Sequence, residues 1–144
     1  MNLQAPVSSI MSENLITVTE KDRLTKVSDI FKKHKIHHIP VVLGEQIVGI
    51  ISREDLYLFK KGIGSGSAEK MINEIRFDNY KAEVIMTRGL AKVEPNDKIE
   101  VALDIFCKNI FRALPVVEDD KLVGIITTYD ILLQLNKESS KSTI

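Results

Sequence analysis

Residues 10–56 return 75 positions later as residues 85–131, without a gap and with 17 of 47 paired positions identical. The densest part is Pro40-Val41-Val42, Val48-Gly49-Ile50-Ile51-Ser52 and Asp55. Its second copy is Pro115-Val116-Val117, Val123-Gly124-Ile125-Ile126-Thr127 and Asp130. Met11/Met86, Leu15/Leu90, Val18/Val93, Asp22/Asp97 and Asp29-Ile30-Phe31/Asp104-Ile105-Phe106 also repeat. A fixed internal period constrains a fold more than any single motif, because one copy alone cannot bury its apolar face. The expectation is two halves packed about a pseudo-twofold axis.

Each copy reads as β-α-β-β-α, an α/β (α+β) pattern. Leu15–Val18 is a short run of β-formers. From Asp22, Leu24, Val27, Ile30, Phe31 and Ile36 fall at helical spacing, and the second copy repeats this with Ile99, Ala102, Leu103, Ile105, Phe106 and Ile110. Pro40-Val41-Val42 opens a strand with its proline at the start, where a missing N–H is tolerated. A polar turn then leads into Ile47–Ile51, giving an antiparallel hairpin. Gly49 and Gly124 inside these strands allow a close approach by other atoms. A second helix starts at Ser52, and its counterpart at Thr127.

The expected organisation is copy 1 over 7–60, a connection over 61–80, copy 2 over 81–136 and a disordered tail over 137–144. Gly62-Ile63-Gly64-Ser65-Gly66 reads as a hinge, followed by a linker helix packed through Met71, Ile72 and Ile75. That glycine run lacks the spacing of a phosphate-binding loop.

Twenty basic residues balance twenty acidic ones, so no net field favours nucleic acid or an anionic membrane. No apolar run approaches the roughly 20 residues of a bilayer span, and no signal peptide is visible. One cysteine, Cys107, suits a reducing interior, and its helical spacing places it in the core. The expected location is cytoplasmic.

Ser52-Arg53-Glu54-Asp55 and Thr127-Thr128-Tyr129-Asp130 admit two readings. One is a helix cap, in which the carboxylate three residues on reaches back to the hydroxyl residue. The other is an anion site at a helix N-terminus, with Asp55 or Asp130 accepting ribose hydroxyls. His34, His37 and His38 cannot share a metal, since adjacent strand residues point to opposite faces. They suit a solvated rim or a phosphate contact.

The two copies of h-P-h-h, polar turn, h-h-G-h-h and [S/T]-x-x-D, with h apolar, resemble a tandem pair of CBS domains, a Bateman module. The resemblance implies a regulatory module without catalysis or a tightly held cofactor, binding an adenosine-containing ligand such as AMP, ADP, ATP or S-adenosylmethionine between the copies. It assigns phosphate and ribose contacts to Ser52, Asp55, Thr127 and Asp130, and basic contacts to His37, His38, Arg112 and Arg53. It further implies opposing walls, with Met11, Ile16, Ile36 and His37 opposite Thr127/Asp130 and Met86, Ala91 and Phe111 opposite Ser52/Asp55. A homodimer formed through helices and an effector protein are the implied partners, with no nucleic acid and no membrane. A ligand-independent oligomerisation scaffold is the alternative.

Overall fold

The computed structural model describes residues 1–61, 75 and 78–142. The glycine run and the predicted linker-helix positions Met71 and Ile72 lie outside the described residues, and Ile75 is exposed. In chain order the regular elements are α1 (Leu24–Lys33), β1 (His38–Leu43), β2 (Gln46–Ser52), α2 (Arg53–Lys61), α3 (Ile99–Cys107), β3 (Ala113–Glu118), β4 (Lys121–Thr127) and α4 (Thr128–Ser142). Short 3₁₀ turns at Val7–Ser9 and Ala82–Val84 precede the two repeats.

The hairpins are copies of one another. β1 pairs antiparallel with β2 and β3 with β4, in registers that match at the 75-residue offset: His38 faces Ser52, and Ala113 faces Thr127. Each bears a bulge at the same place, Val41/Val42 and Val116/Val117. Pro40 is the third residue of β1 rather than its first. Its carbonyl accepts from the Val18 N–H at 3.0 Å, so its nitrogen faces that outer edge and costs the β1–β2 ladder nothing. In place of the predicted Leu15–Val18 strand there is one parallel bridge, Val18 to Val41, and its repeat, Val93 to Val116. The Leu15 N–H bonds to the Glu13 carbonyl, which bends the chain just before it reaches the sheet.

The chain forms two compact units, and they do not coincide with the sequence copies. One contains Met1–Leu15 and Leu90–Ile144; the other contains Ile16–Gly89. Each unit therefore takes its leading segment from the opposite copy. In the first, the Val7 N–H bonds to the Asp97 carbonyl at 2.7 Å; in the second, the Ala82 N–H bonds to the Asp22 carbonyl at 2.7 Å. Val7 and Ala82 are both wholly buried. Val7 packs with Val93, Ala102, Phe106, Leu114, Val116, Ile126 and Ile131. Ala82 and Met86 pack with Val18, Leu24, Val27, Phe31, Ile39, Val41, Ile51 and Leu56. Each unit has a core of its own.

The helices follow the predicted periodicity but end earlier than Ile36 and Ile110. α3 stops where Asn109 enters the left-handed region (φ 57°) and donates to the Phe106 carbonyl, an αL helix stop. Ile110 is consequently solvent-facing and 73% exposed. Cys107, expected in the core, is exposed at the last residue of α3. The tail read as disordered from 137 is helical as far as Ser142. Gln134 bonds to Glu138 one turn on, and the Met1 ammonium meets Glu138 at 2.8 Å, contacts that sequence composition does not reveal.

The exchange of leading segments can be tested at Val7. Val7→Ala removes two buried methyl groups and should cost about 2 kcal/mol in urea unfolding. Hydrogen exchange should accelerate in Ala113–Thr127 and not in His38–Ser52. Loss of protection in His38–Ser52 instead would contradict the assignment of the N-terminal segment to the second hairpin.

Candidate functional site

The two [S/T]-x-x-D sequences sit where a hairpin strand runs directly into a helix. At β2–α2 the Asp55 carboxylate accepts from the Ser52 N–H at 2.8 Å, and the Asp55 N–H donates to Ser52 Oγ at 3.0 Å. At β4–α4 the same reciprocal pair joins Thr127 and Asp130 at 2.8 and 3.1 Å. The capping reading is thus met in both copies. The second copy adds one bond, from Thr127 Oγ1 to Asp130 Oδ2 at 3.0 Å. Oδ2 takes both Thr127 donors, while Oδ1 has no hydrogen-bond partner among the described residues. Burial raises the Asp130 carboxyl above the ordinary aspartate value, and the hydrogen bonds from Thr127 only partly offset this.

Glycine lets a methionine lie flat on each hairpin. A Cβ on Gly124 would fall 2.7 Å from Met11 Sδ and 3.1 Å from the Ser12 carbonyl; one on Gly49 would fall 2.6 Å from Met86 Sδ. The approach is sealed by backbone bridges, Ser12 to Ile125 and Thr87 to Ile50. Ser12 and Thr87 were not singled out by sequence. Their place directly after the repeated Met11/Met86 was the available signal.

The residue before each h-P strand is locked to the adjoining helix start. The Arg53 N–H bonds to the His37 carbonyl at 2.9 Å, and the Thr128 N–H bonds to the Arg112 carbonyl at 3.0 Å. Arg112 is exposed. The Arg53 side chain turns toward the end of α1, where it donates to the carbonyls of Phe31, His34 and Ile36 and lies 5.1 Å from the Phe31 ring centre. That guanidinium caps a helix C-terminus and fixes the α1–β1 connection.

The first unit thus brings together Met11, Arg112, Thr127 and Asp130, with Ala91 and Phe111 packed against its core. The second brings together Ser52, Asp55, Arg53, His37, His38, Ile36 and Met86, with Ile16 in the same unit. Ile16, Ile36 and His37, expected opposite Thr127/Asp130, belong to the unit of Ser52/Asp55. Ala91 and Phe111, expected opposite Ser52/Asp55, belong to that of Thr127/Asp130.

The family described as CBS domain matches residues 7–61 and 82–137. The chain belongs to the CBS domain family. As a tandem CBS pair it resembles the crystal structure of CBSX2 in complex with AMP, at 25% identity and a TM-score of 0.75 over 92% of this chain and 97% of that one; CBSX2 is from Arabidopsis thaliana. It also resembles the CBS domain pair of protein MJ0100 in complex with 5′-methylthioadenosine and S-adenosyl-L-methionine, at 25% identity and a TM-score of 0.70 over 90% and 98%. Among curated sequences, an inosine-5′-monophosphate dehydrogenase of Korarchaeum cryptofilum is 27% identical over 124 residues. An uncharacterized protein of Methanocaldococcus jannaschii is 30% identical over 130 residues. The matches cover 85% and 88% of this chain but only 23% and 45% of those relatives. No helix among the described residues is long and apolar enough to cross a membrane.

The two basic residues beside the caps should separate cleanly in stability. Arg53→Ala leaves three carbonyls without a charged donor and should cost about 2 kcal/mol in denaturant unfolding. Arg112→Ala should change stability by less than about 0.5 kcal/mol. Equal effects would contradict the structural role given to Arg53.

Proposed function

We propose that this protein is a ligand-sensing regulatory module whose effector contains an adenosine group, bound at the Thr127/Asp130 and Ser52/Asp55 helix starts. The observation that carries the reading is the reciprocal cap in both copies. A fold needs a cap at such a turn, but here the carboxylate also keeps one oxygen, Asp130 Oδ1, outside the cap's own hydrogen bonds. A ribose presents two hydroxyl donors to such an acceptor, and the α4 N-terminus favours a neighbouring phosphate. Two CBS pairs of similar fold are complexes with AMP and with adenosyl compounds, which supports the same ligand class here.

The two sites are unequal, and the Thr127/Asp130 site is the stronger. Arg112 is exposed beside the α4 start and keeps its charge at any physiological pH, so it can take a phosphate bidentately. At the other site Arg53 is held by three carbonyls, leaving His37 and His38 as the basic side chains near Ser52. Met11, half-buried, supplies polarisable apolar surface suited to a base, whereas Met86 is buried in its core.

Calorimetry and thermal shift with AMP, adenosine and S-adenosylmethionine test this. A ligand at about 100 times its Kd should stabilise by about 2.7 kcal/mol. Asp130→Ala and Asp55→Ala should each remove one site, and Arg112→Ala should weaken AMP at least about tenfold while sparing adenosine. Ribose hydroxyls donate to the charged form, so ligand should lower the raised Asp130 pKa in an NMR titration. Undiminished AMP binding by both Asp variants would overturn the assignment.

Signal transmission in this proposal runs through association of copies by their helices, and onward to an effector protein. α4 supports it by exposing Tyr129, Leu132 and Leu135, with Leu132 61% exposed; contiguous apolar patches of this kind commonly mark interaction sites. Leu132→Asp should convert a dimer to a monomer in light scattering without loss of helical circular dichroism. A parent protein that is already monomeric would remove association from the proposal. If association persists with no adenosine ligand bound by any variant, the scaffold reading holds instead.

A further inference from the structure

The helix pair of the second copy carries an uncharged face where the first copy has lysines. In the first copy Ser28 and Lys32 of α1 line one groove with Arg53, Tyr57 and Lys60 of α2, so those helices lie side by side. At the 75-residue offset the same places on α3 and α4 are Leu103, Cys107, Thr128, Leu132 and Leu135, none of them charged. Phe106 of α3 and Ile131 of α4 share the core beneath, with Leu103 packed against it. Cys107, Leu132 and Leu135 stay outside the core, Leu135 at 46% exposure.

A single exposed leucine needs no explanation, whereas a contiguous apolar set marks a contact. The first copy builds the same helix pair with serine, lysine and tyrosine at these places, so the fold does not demand leucine there. Whatever covers the face must be uncharged at its centre, since a charge pressed against leucines forfeits its hydration. That argues against the α1–α2 face of another chain, which would bring Lys32 and Lys60 into the contact. The α3–α4 face itself meets the requirement, and a twofold contact sets identical patches together. Its rim is bipolar: Asp104 and Lys108 stand one turn apart at exposed positions, next in sequence to Leu103 and Cys107. A twofold axis perpendicular to α3 runs the two α3 helices antiparallel, so Asp104 of one chain can meet Lys108 of the other.

We infer that two chains associate through the α3–α4 face of the second copy, each presenting that same face to the other. The inference rests on the proposed association of chains by their helices and names which helices pair. Leu132, Leu135 and Cys107 form the centre of the contact, Asp104 and Lys108 lie on its rim, and α1 and α2 take no part.

Sedimentation velocity on the full chain over a concentration series, with no nucleotide present, tests this. The parent should form dimers. Leu135→Lys and Cys107→Lys, which install the residues of the first copy, should each raise the dimer Kd about tenfold or more, with far-UV circular dichroism unchanged. Lys32→Glu should leave the Kd unchanged. Asp104→Lys should raise it severalfold, and adding Lys108→Glu should restore it, because the reversed pair again matches its own image. Alkylation of Cys107, the single cysteine, should slow in the parent as concentration rises and stay constant in Leu135→Lys. A parent that remains monomeric overturns association itself and this contact with it. A dimer indifferent to Leu135→Lys and Cys107→Lys, a Kd altered by Lys32→Glu, or no restoration in the Asp104/Lys108 double variant overturns the pairing alone and leaves association by other helices standing.

Discussion

Both units depend on a short leading segment borrowed from the other copy. Val7 and Ala82 enter cores built from the helix and hairpin of the opposite repeat, each anchored by an N–H to the carbonyl of the repeated aspartate, Asp97 or Asp22. A few residues later Met11 and Met86 cross Gly124 and Gly49. A two-stranded hairpin is marginal alone. The bridges at Ser12–Ile125 and Thr87–Ile50, with those at Val18–Val41 and Val93–Val116, cover both edges of each hairpin. The exchange thus closes the sheet edges as well as filling the core, and the glycines must stay side-chain-free for it to occur.

The repeated aspartates two residues ahead of α1 and α3 have a matching duty. Asp22 and Asp97 each accept from a backbone N–H three residues earlier, Thr19 at 2.8 Å and Glu94 at 2.7 Å. Burial opposes the charge of Asp22, but the Thr19 N–H and the Lys26 ammonium outweigh it, so its pKa is lowered. At Asp130 the balance falls the other way. Two carboxylates with the same three-residue reach therefore differ in protonation tendency, because Asp22 has the Lys26 ammonium beside it while Asp130 has only the Thr127 hydrogen bonds to set against its burial. An acceptor poised in that state suits neutral donors such as hydroxyls.

The repeat also serves as an internal control for function. Positions alike in both copies, such as Gly49/Gly124 and Asp55/Asp130, trace to sheet closure and helix capping. Positions that differ include Arg112 against His37, Arg53 against Thr128, and Lys32 and Lys60 against Cys107 and Leu135. In the proposed function the first difference biases the two cap sites; the others place basic side chains on α1 and α2 of the first copy only.

Period, the antiparallel hairpins, helix faces and both caps were legible in the amino-acid sequence, because each rests on contacts within about 15 residues or on identity between the copies. Family membership followed from the same residues. The sequence did not reveal which copy owns each leading segment, since Val7 and Ala82 are compatible with either hairpin locally and only long-range packing selects one. It misplaced Cys107 and Ile110, because helical spacing gives a face but not the αL stop at Asn109. It read 137–142 as disordered, because polar composition omits the Met1–Glu138 ion pair. The direction of the Arg53 side chain was likewise a tertiary decision: carbonyls left open at the end of α1 draw the guanidinium from the start of α2. Local rules set what each segment becomes; the partner of each buried face and each unsatisfied carbonyl was settled only once the chain had folded.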